Sequence, residues 1–214
     1  MSQHQQHSTP IHPRVIQHNG MQLTAALGGY LRAALGLSVL ALVLCGFLYS
    51  LLATGLGQLL FPQQANGSLI EVNQKVIGSR LVAQPFVSDI YFHPRPSASN
   101  YNVMTMSGSN LAQSNPELHK QIQQRQQAIA EKEQQAISRI PSDLVTTSGS
   151  GIDPDISLAA AKLQIPRIAA QRQLPEAVIE QLLMQQLQQP TWGMLGQARL
   201  NVLELNLALD HVND

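Results

Sequence analysis

The 214-residue chain is poor in cysteine, in aromatic residues and in charge. Its single cysteine, Cys45, excludes an intramolecular disulfide and a zinc site built from cysteines. Four Phe, four Tyr and one Trp leave few rings on which nucleic-acid bases could stack. Charged residues make up 12%, and 13 Lys+Arg balance 13 Asp+Glu, so no net field attracts nucleic acid. The composition argues against a dedicated nucleic-acid-binding protein.

The sequence does contain one long apolar run. No charged residue lies between Arg32 and Glu71, and residues 33–61 are almost wholly apolar. About 20 apolar residues in a helix cross the hydrocarbon core of a bilayer, and a helix satisfies all its backbone polar groups there. Residues 33–61 are therefore predicted to be a transmembrane helix. A signal peptide cleaved near residues 53–55 is the alternative, but the run is longer than a typical signal core.

Basic residues near the span predict its orientation. Arg14 and Arg32 precede it with no acidic residue, and no basic residue follows it until Lys75. The positive-inside rule places residues 1–32 in the cytoplasm and residues 62–214 outside it. We therefore expect a single-pass protein of the inner (plasma) membrane, in contact with the lipid bilayer.

Residues 1–32 are predicted to be a polar, disordered leader. The leader contains histidines whose spacing matches no defined metal motif, so a metal-binding tail is the less favoured interpretation. These histidines are His4, His7, His12 and His18.

Residues 62–214 have the patterns of one small extracytoplasmic α+β domain. The β-rich runs at 69–72 and 75–82 predict a hairpin, although Gln74 is unusual in a turn that requires positive φ. Alternating apolar and polar residues at 203–210 predict a half-buried strand.

Helix signals occur at three places in this domain. Residues 114–117 combine a capping side chain, a proline and an acidic residue, and predict a helix that runs to about Arg139. Ser157 caps a second predicted helix, which Pro166 should kink or break. Pro175 begins a third. The segment 83–115 is predicted to be a long loop, and loops of that length are often functional.

A run of hydroxyl and glycine residues offers the most suggestive chemistry. Glycine lets a backbone approach a ligand closely, and hydroxyls with free amides can cradle an oxyanion. The run lacks the spacing of a P-loop or a Rossmann turn, so a packed turn is the favoured alternative. Its residues are Thr147, Ser148, Gly149, Ser150 and Gly151.

Other candidate groups admit two interpretations each. Asp153 and Asp155 are either general acid-base carboxylates or turn and cap residues beside Pro154. Ser148 or Ser150 could be the nucleophile of a membrane-anchored extracytoplasmic hydrolase, but no nucleophile elbow is present. The available bases would be His93, His119 and His211. No residue is assigned as catalytic, and no metal site is predicted.

From Gly67 onward the chain resembles the KdpC family, the C subunits of Kdp potassium-transporting P-type ATPases. Two departures stand out: the family usually has Asn-Gly where Asn73 and Gln74 stand, and commonly His where Asp155 stands. The stretches that carry the resemblance, in family order, are 67–70 (GSLI), 76–79 (VIGS), 91–98 (YFHPRPSA), 101–102 (YN), 109–111 (SNL), 114–116 (SNP), 148–154 (SGSGIDP) and 199–210 (RLNVLELNLALD).

The resemblance implies a non-catalytic accessory subunit of a high-affinity potassium importer. Its implied partners are a channel-like potassium-binding subunit, a P-type ATPase subunit and a small peptide subunit. The family is also described as a catalytic chaperone that raises the ATP affinity of the ATPase subunit. For this chain, the resemblance implies nucleotide contacts at residues 147–151. It implies no firmly bound cofactor, and ATP would be held only in a ternary complex with the ATPase subunit.

The predicted orientation conflicts with direct ATP contact, because ATP is cytoplasmic and residues 147–151 are predicted to lie outside. The physical interpretation is instead that the domain caps the side on which potassium enters. Glu71, Asp89 or Asp153 could then attract cations, or each is an ordinary solvated carboxylate.

Overall fold

The computed structural model describes the backbone of residues 19–212 and the side chains of residues 27–212. The predicted histidine-rich leader lies largely outside these residues. The described residues form two compact units, which divide between Pro62 and Gln63.

The first unit is one run of helix. It consists of α1 (Asn19–Ala41), a π-helical segment (Leu42–Leu48) and α2 (Tyr49–Leu60). The apolar part spans Leu27–Leu60, 34 residues, and none of its apolar window is buried. An apolar helix that is exposed all round is suited to lipid or to partner helices.

The helix begins well before Ala33, so residues 19–32 are helical although they were predicted to belong to a disordered leader. Leucines and alanines dominate the stretch 23–35, and these residues extend a helix readily once it has formed.

The second unit opens with a short helix and the predicted hairpin. These elements are α3 (Pro62–Ala65), β1 (Leu69–Val72) and β2 (Lys75–Ser79). The strands are antiparallel, with Val72 opposite Lys75. Asn73 and Gln74 have φ of 51° and 64°, so both occupy the left-handed region that a type I′ turn requires. The hairpin is confirmed, and Gln74 adopts the strained conformation without a glycine.

The rest of the second unit is mostly helical. A long irregular segment, residues 80–115, connects the hairpin to the first of these helices. A second two-stranded sheet pairs β3 with β4, antiparallel, with Ile156 opposite Leu200. Three short 3₁₀ turns lie in the connections, at Val103–Thr105, Ile137–Arg139 and Ser142–Leu144. The longer elements are α4 (Pro116–Glu133), β3 (Asp155–Ile156), α5 (Leu158–Arg172), α6 (Glu176–Gln186), β4 (Leu200–Asn201) and α7 (Val202–Asp210). The predicted α+β class with one N-terminal apolar helix is confirmed.

Local capping determines where two of the helices begin. Asn115 Oδ1 accepts the Glu117 amide at 2.9 Å, and Ser157 Oγ accepts the Ala160 amide at 3.0 Å. Each side chain satisfies one amide that the first helical turn leaves unpaired. Helix α4 ends at Glu133, earlier than the predicted Arg139.

The prediction of a strand at 203–210 is wrong, because this segment forms helix α7. Its buried residues recur at the helical spacing, with Val202, Leu205, Asn206 and Leu209 all at most 2% exposed. The alternating leucines fit both periods, and packing selects the helical one.

Pro166 does not break α5, which continues to Arg172. Ile165 and Ile168 flank the proline in the core, and their burial offsets the lost hydrogen bond.

The core of the second unit lies among α5, α6 and α7. Ile168, Leu183 and Leu205 from these helices are fully buried. Phe92 is also fully buried in this core, although it comes from the irregular segment and not from a helix or strand.

Two buried amide side chains hold the backbone around Phe92. Asn206 Oδ1 accepts the Phe92 amide at 2.8 Å, and Asn206 Nδ2 donates to the Phe92 carbonyl at 3.0 Å. Gln164 does the same for His93, accepting its amide at 2.8 Å and donating to its carbonyl at 3.2 Å. Side chains of α5 and α7 thus provide the hydrogen bonds that a neighbouring strand would otherwise supply.

Arg167 binds the residues just before Phe92. Its side chain is 7% exposed, and the guanidinium donates to Glu133 Oε1 at 2.9 Å, to the Tyr91 carbonyl at 3.1 Å and to the Asp89 carbonyl. Burial raises the pKa of Glu133 above its ordinary value of 4.5, and the Arg167 charge opposes that rise. The pair therefore joins α4, α5 and the irregular segment.

Arg167→Ala is expected to lower the free energy of unfolding at neutral pH by about 3–5 kcal/mol, since it leaves the Glu133 carboxylate buried without its partner. Folding would then favour protonated Glu133, so the loss should shrink below pH 4.5 and grow as the pH rises above it. Urea unfolding of the full chain in detergent, followed by circular dichroism, measures this.

The control is Lys162→Ala. Lys162 pairs with Glu180 at 2.7 Å, and both side chains are about half exposed. Its removal should cost less than ~1 kcal/mol. Similar losses in the two variants would show that the Arg167–Glu133 pair has no special structural role.

Candidate functional site at the Ser-Gly loop

The predicted loop 147–151 lies between a 3₁₀ turn and β3. Ser148 and Gly151 are buried, Thr147 is half-buried, and Gly149 and Ser150 are exposed. The Gly151 amide donates to Ser148 Oγ at 2.8 Å, and the Ile152 amide donates to Ser150 Oγ at 3.2 Å. Both hydroxyls therefore accept hydrogen bonds from amides that an oxyanion site would need.

The irregular segment packs against this loop. Ser97 Oγ donates to the Gly151 carbonyl at 2.6 Å and accepts the Tyr101 amide at 2.8 Å. Gly151 has φ of 74°, and a Cβ there would lie 2.5 Å from the Ser107 carbonyl oxygen. These contacts are those of a packed turn, the alternative that the spacing favoured.

Beside the loop is a polar groove of about 500 Å³. Two ion pairs line it: Arg95 lies 2.9 Å from Asp153, and Arg199 lies 2.9 Å from Asp155. Burial raises the pKa of the Asp155 carboxyl, while Arg199 opposes that rise. Asp153 Oδ1 also accepts the Asp155 amide at 3.1 Å, so these carboxylates act as turn and ion-pair residues.

The three histidines proposed as bases lie in other parts of the chain: one precedes α4, one is on α4 and one follows α7. His93 Nε2 lies 3.1 Å from the Ser88 carbonyl, and Lys132 Nζ lies 3.4 Å from His93 Nδ1. Burial lowers the pKa of His93. His119 is exposed on α4, and His211 follows α7. Among the residues that the structure describes, the hydrogen bonds of Ser148 and Ser150 are to amides of their own loop, and those of His93 are to Ser88 and Lys132.

The three carboxylates suggested to attract cations are not brought together at one opening. Asp89 pairs with Lys132 at 2.8 Å, and the Lys132 hydrogen bond lowers the pKa of Asp89. Asp153 pairs with Arg95, and Glu71 is exposed on β1 beside a separate cavity of about 230 Å³. Two of the three are thus neutralised by basic side chains.

Sequence reasoning did not assign roles to Arg95 and Arg199. Both lie inside stretches that carried the family resemblance, residues 91–98 and 199–210. Their position in these stretches was the one feature of the sequence that could have marked them as functional residues. Nothing local in the sequence indicates that these two arginines line one groove with Asp153 and Asp155.

The two units together define a class of protein, namely one exposed apolar helix followed by a small α+β domain. The comparisons specify the class further. Residues 31–211 match the family model of KdpC, the c chain of K⁺-transporting ATPase.

Individual relatives agree with the family match. A potassium-transporting ATPase KdpC subunit of Shewanella putrefaciens is 49% identical over 182 residues, covering 85% of this chain and 89% of the relative. One from Xanthomonas campestris is 47% identical over 186 residues, covering 87% and 89%. One from Yersinia enterocolitica is 47% identical over 184 residues, covering 85% and 92%. The chain belongs to the KdpC family, and the resemblance drawn from the sequence is confirmed.

Gly151→Ala is expected to lower the free energy of unfolding by at least ~1–2 kcal/mol, because alanine is strained at positive φ and its Cβ meets the Ser107 carbonyl. Gly149→Ala is the matched control, since a Cβ at Gly149 meets nothing within 4 Å, and it should change stability by less than ~0.5 kcal/mol. Limited proteolysis and thermal unfolding of the full chain check this. Equal effects of the two variants would contradict the packed turn.

Proposed function

We propose that this chain is the accessory C subunit of an ATP-driven potassium importer. Its apolar helix anchors it in the inner membrane, and its α+β domain docks on the channel-like potassium-binding subunit, on the side where potassium enters. It thereby stabilises that subunit together with the P-type ATPase subunit and the small peptide subunit. The observation that carries this proposal is the family match over residues 31–211, which includes most of the apolar helix and nearly all of the second unit.

The geometry of the α+β domain supports a role in docking on a partner subunit more than a role in catalysis. The hydroxyls of Ser148 and Ser150 accept amides of their own loop, and Asp153 and Asp155 pair with arginines. A covalent catalyst needs a nucleophile in hydrogen-bond contact with a base. The exposed apolar helix in turn offers a surface for partner helices, with Gly46, Ser50 and Thr54 along one side.

A second proposed role is to raise the ATP affinity of the ATPase subunit, as the family resemblance implies. The exposed residues Gly149 and Ser150 are the part of the loop that a partner or a bound nucleotide could reach. In the predicted orientation this loop is outside the cytoplasm, so the effect would pass through the partner subunits. Direct contact with ATP would require the opposite orientation.

The test of assembly uses a bacterial strain that lacks its own KdpC subunit. The full chain, supplied with an affinity tag, should restore growth at limiting potassium and co-purify with the other subunits. The purified chain alone should hydrolyse no ATP. A chain that restores neither growth nor assembly would contradict the proposal, and turnover by the chain alone would revive the enzyme alternative.

The test of orientation is cysteine accessibility in intact cells. With Cys45→Ala as background, Ser150→Cys should react with a membrane-impermeant maleimide that reaches the periplasm. The matched control is Ser8→Cys in the leader, which should react only after the cells are opened. The reverse pattern would overturn the predicted orientation and make residues 147–151 a candidate for direct ATP contact.

A further inference from the structure

A cavity of about 230 Å³ is lined by the short helix α3 and by the β1–β2 hairpin. We call it the hairpin cavity. Its polar lining consists of Gln63 and Gln64 on α3, Ser68 just before β1, Glu71 on β1, and Arg80 just after β2. All of these residues belong to the second unit and lie at its beginning in the chain.

Backbone hydrogen bonds fix the walls of the hairpin cavity. The Ser68 amide donates to the Gln63 carbonyl at 2.8 Å. The Gly67 amide donates to the Gln64 carbonyl at 3.1 Å, and the Arg80 amide donates to the Ser68 carbonyl at 3.1 Å. These bonds join α3 to both ends of the hairpin. A cavity whose walls are already in place loses little conformational entropy when a ligand binds.

The hairpin cavity has a charged group of each sign. Arg80 Nε lies 2.6 Å from Glu204 Oε1, and the Arg80 side chain is 59% exposed. Because this pair uses Nε, the terminal nitrogens of the guanidinium are the ones that a second anion would meet, and guanidinium groups bind phosphate well. Glu71 is exposed, and no ion pair among the described residues includes it. The cavity therefore offers a donor for phosphate and an acceptor for an ammonium group.

The chain places the hairpin cavity close to the end of the apolar helix. The span Leu27–Leu60 has 34 residues and is therefore about 50 Å long, enough to cross a bilayer of ~40–45 Å together with both headgroup layers. Gln63 follows Leu60 by three residues, which extend at most about 11 Å. Glu71 is the first charged residue after the span. A bilayer headgroup is thus the ligand that the cavity meets at the highest local concentration.

The charges select one class of headgroup. Arg80, Glu71 and Glu204 together carry a net negative charge, which disfavours a headgroup that is only anionic. A quaternary ammonium has no N–H group to donate to Glu71 or to the amide oxygens of Gln63 and Gln64. A primary ammonium has three such donors. The best match is a zwitterion that combines a phosphate with a primary ammonium.

We propose that the hairpin cavity binds the headgroup of a phosphatidylethanolamine lipid, with Arg80 on the phosphate and Glu71 on the ammonium. This inference rests on one part of the proposed function, namely that the apolar helix anchors the chain in a bilayer. It adds a lipid site that would hold the hairpin at the membrane surface without any partner subunit.

The test measures which lipids the full chain retains in detergent, by native mass spectrometry with equal amounts of phosphatidylethanolamine, phosphatidylcholine and phosphatidylglycerol. The unaltered chain should retain phosphatidylethanolamine on the order of tenfold better than the other two, the effect of one charge-assisted hydrogen bond. Glu71→Gln should abolish the preference over phosphatidylcholine, because it removes the charge that meets the ammonium. Arg80→Gln should lower retention of phosphatidylethanolamine and phosphatidylcholine alike, because both contain the phosphate.

The matched control is Glu131→Gln. It removes the same charge from an exposed glutamate on α4, outside the cavity, and should keep the full preference. Glu71→Gln should unfold at the same temperature as the unaltered chain, since Glu71 is exposed. The proposal is overturned if Glu71→Gln keeps the preference, or if the unaltered chain retains phosphatidylglycerol as well as phosphatidylethanolamine.

A competition experiment distinguishes a lipid from a soluble phosphate ester. Free phosphoethanolamine has the same headgroup chemistry but no acyl chains to hold it beside the cavity. At millimolar concentration it should leave the bound lipid in place. Displacement of the lipid would show a site for a soluble ligand and overturn the lipid proposal.

The membrane anchor is tested on its own by flotation of the full chain with vesicles of phosphatidylcholine, which lack the preferred headgroup. The chain should float with these vesicles. A chain that floats but shows no headgroup preference overturns the lipid site alone. A chain that does not float overturns the anchoring part of the proposed function, and the lipid site with it.

Discussion

The fold of the second unit depends on hydrogen bonds from side chains to the backbone of one buried stretch. Residues 89–93 enter the core, where Phe92 is fully buried, yet they belong to neither a helix nor a strand. Unpaired backbone groups at that depth would cost about as much as lost hydrogen bonds. These backbone groups are hydrogen-bonded by the side chains of Gln164, Asn206 and Arg167. The side chains take the place of a neighbouring strand. The domain can therefore be built with two very small sheets.

This arrangement positions the surface that follows. Once Phe92 and His93 are held, Arg95 reaches Asp153, and Ser97 reaches Gly151. The loop 147–151 and the groove are then fixed by contacts with the irregular segment, with most of their polar groups already paired. A rigid surface of that kind suits recognition of a partner, which matches membership in a family of transporter subunits.

Prediction from sequence succeeded where the determining contacts are local. The apolar run, the helix start at Asn115 and the cap at Ser157 depend on neighbouring residues and were predicted. The segment 203–210 was mispredicted because its leucines satisfy both the helical and the strand period. The choice between them was made by contacts of Leu205 and Asn206 with distant parts of the chain. The loop 147–151 was located from its composition. The sequence did not indicate whether its hydroxyl groups are free or hydrogen-bonded within the loop.

The sequence by itself determined the apolar helix, the α+β class and the family, because these follow from composition, local order and motifs. The tertiary structure alone decided that Ser148 and Ser150 bind their own loop and that Arg199 pairs with Asp155. It also decided that Trp192 faces solvent rather than the core. Such outcomes depend on which side chains meet across long separations in the chain, and apolar or polar character alone does not specify those meetings.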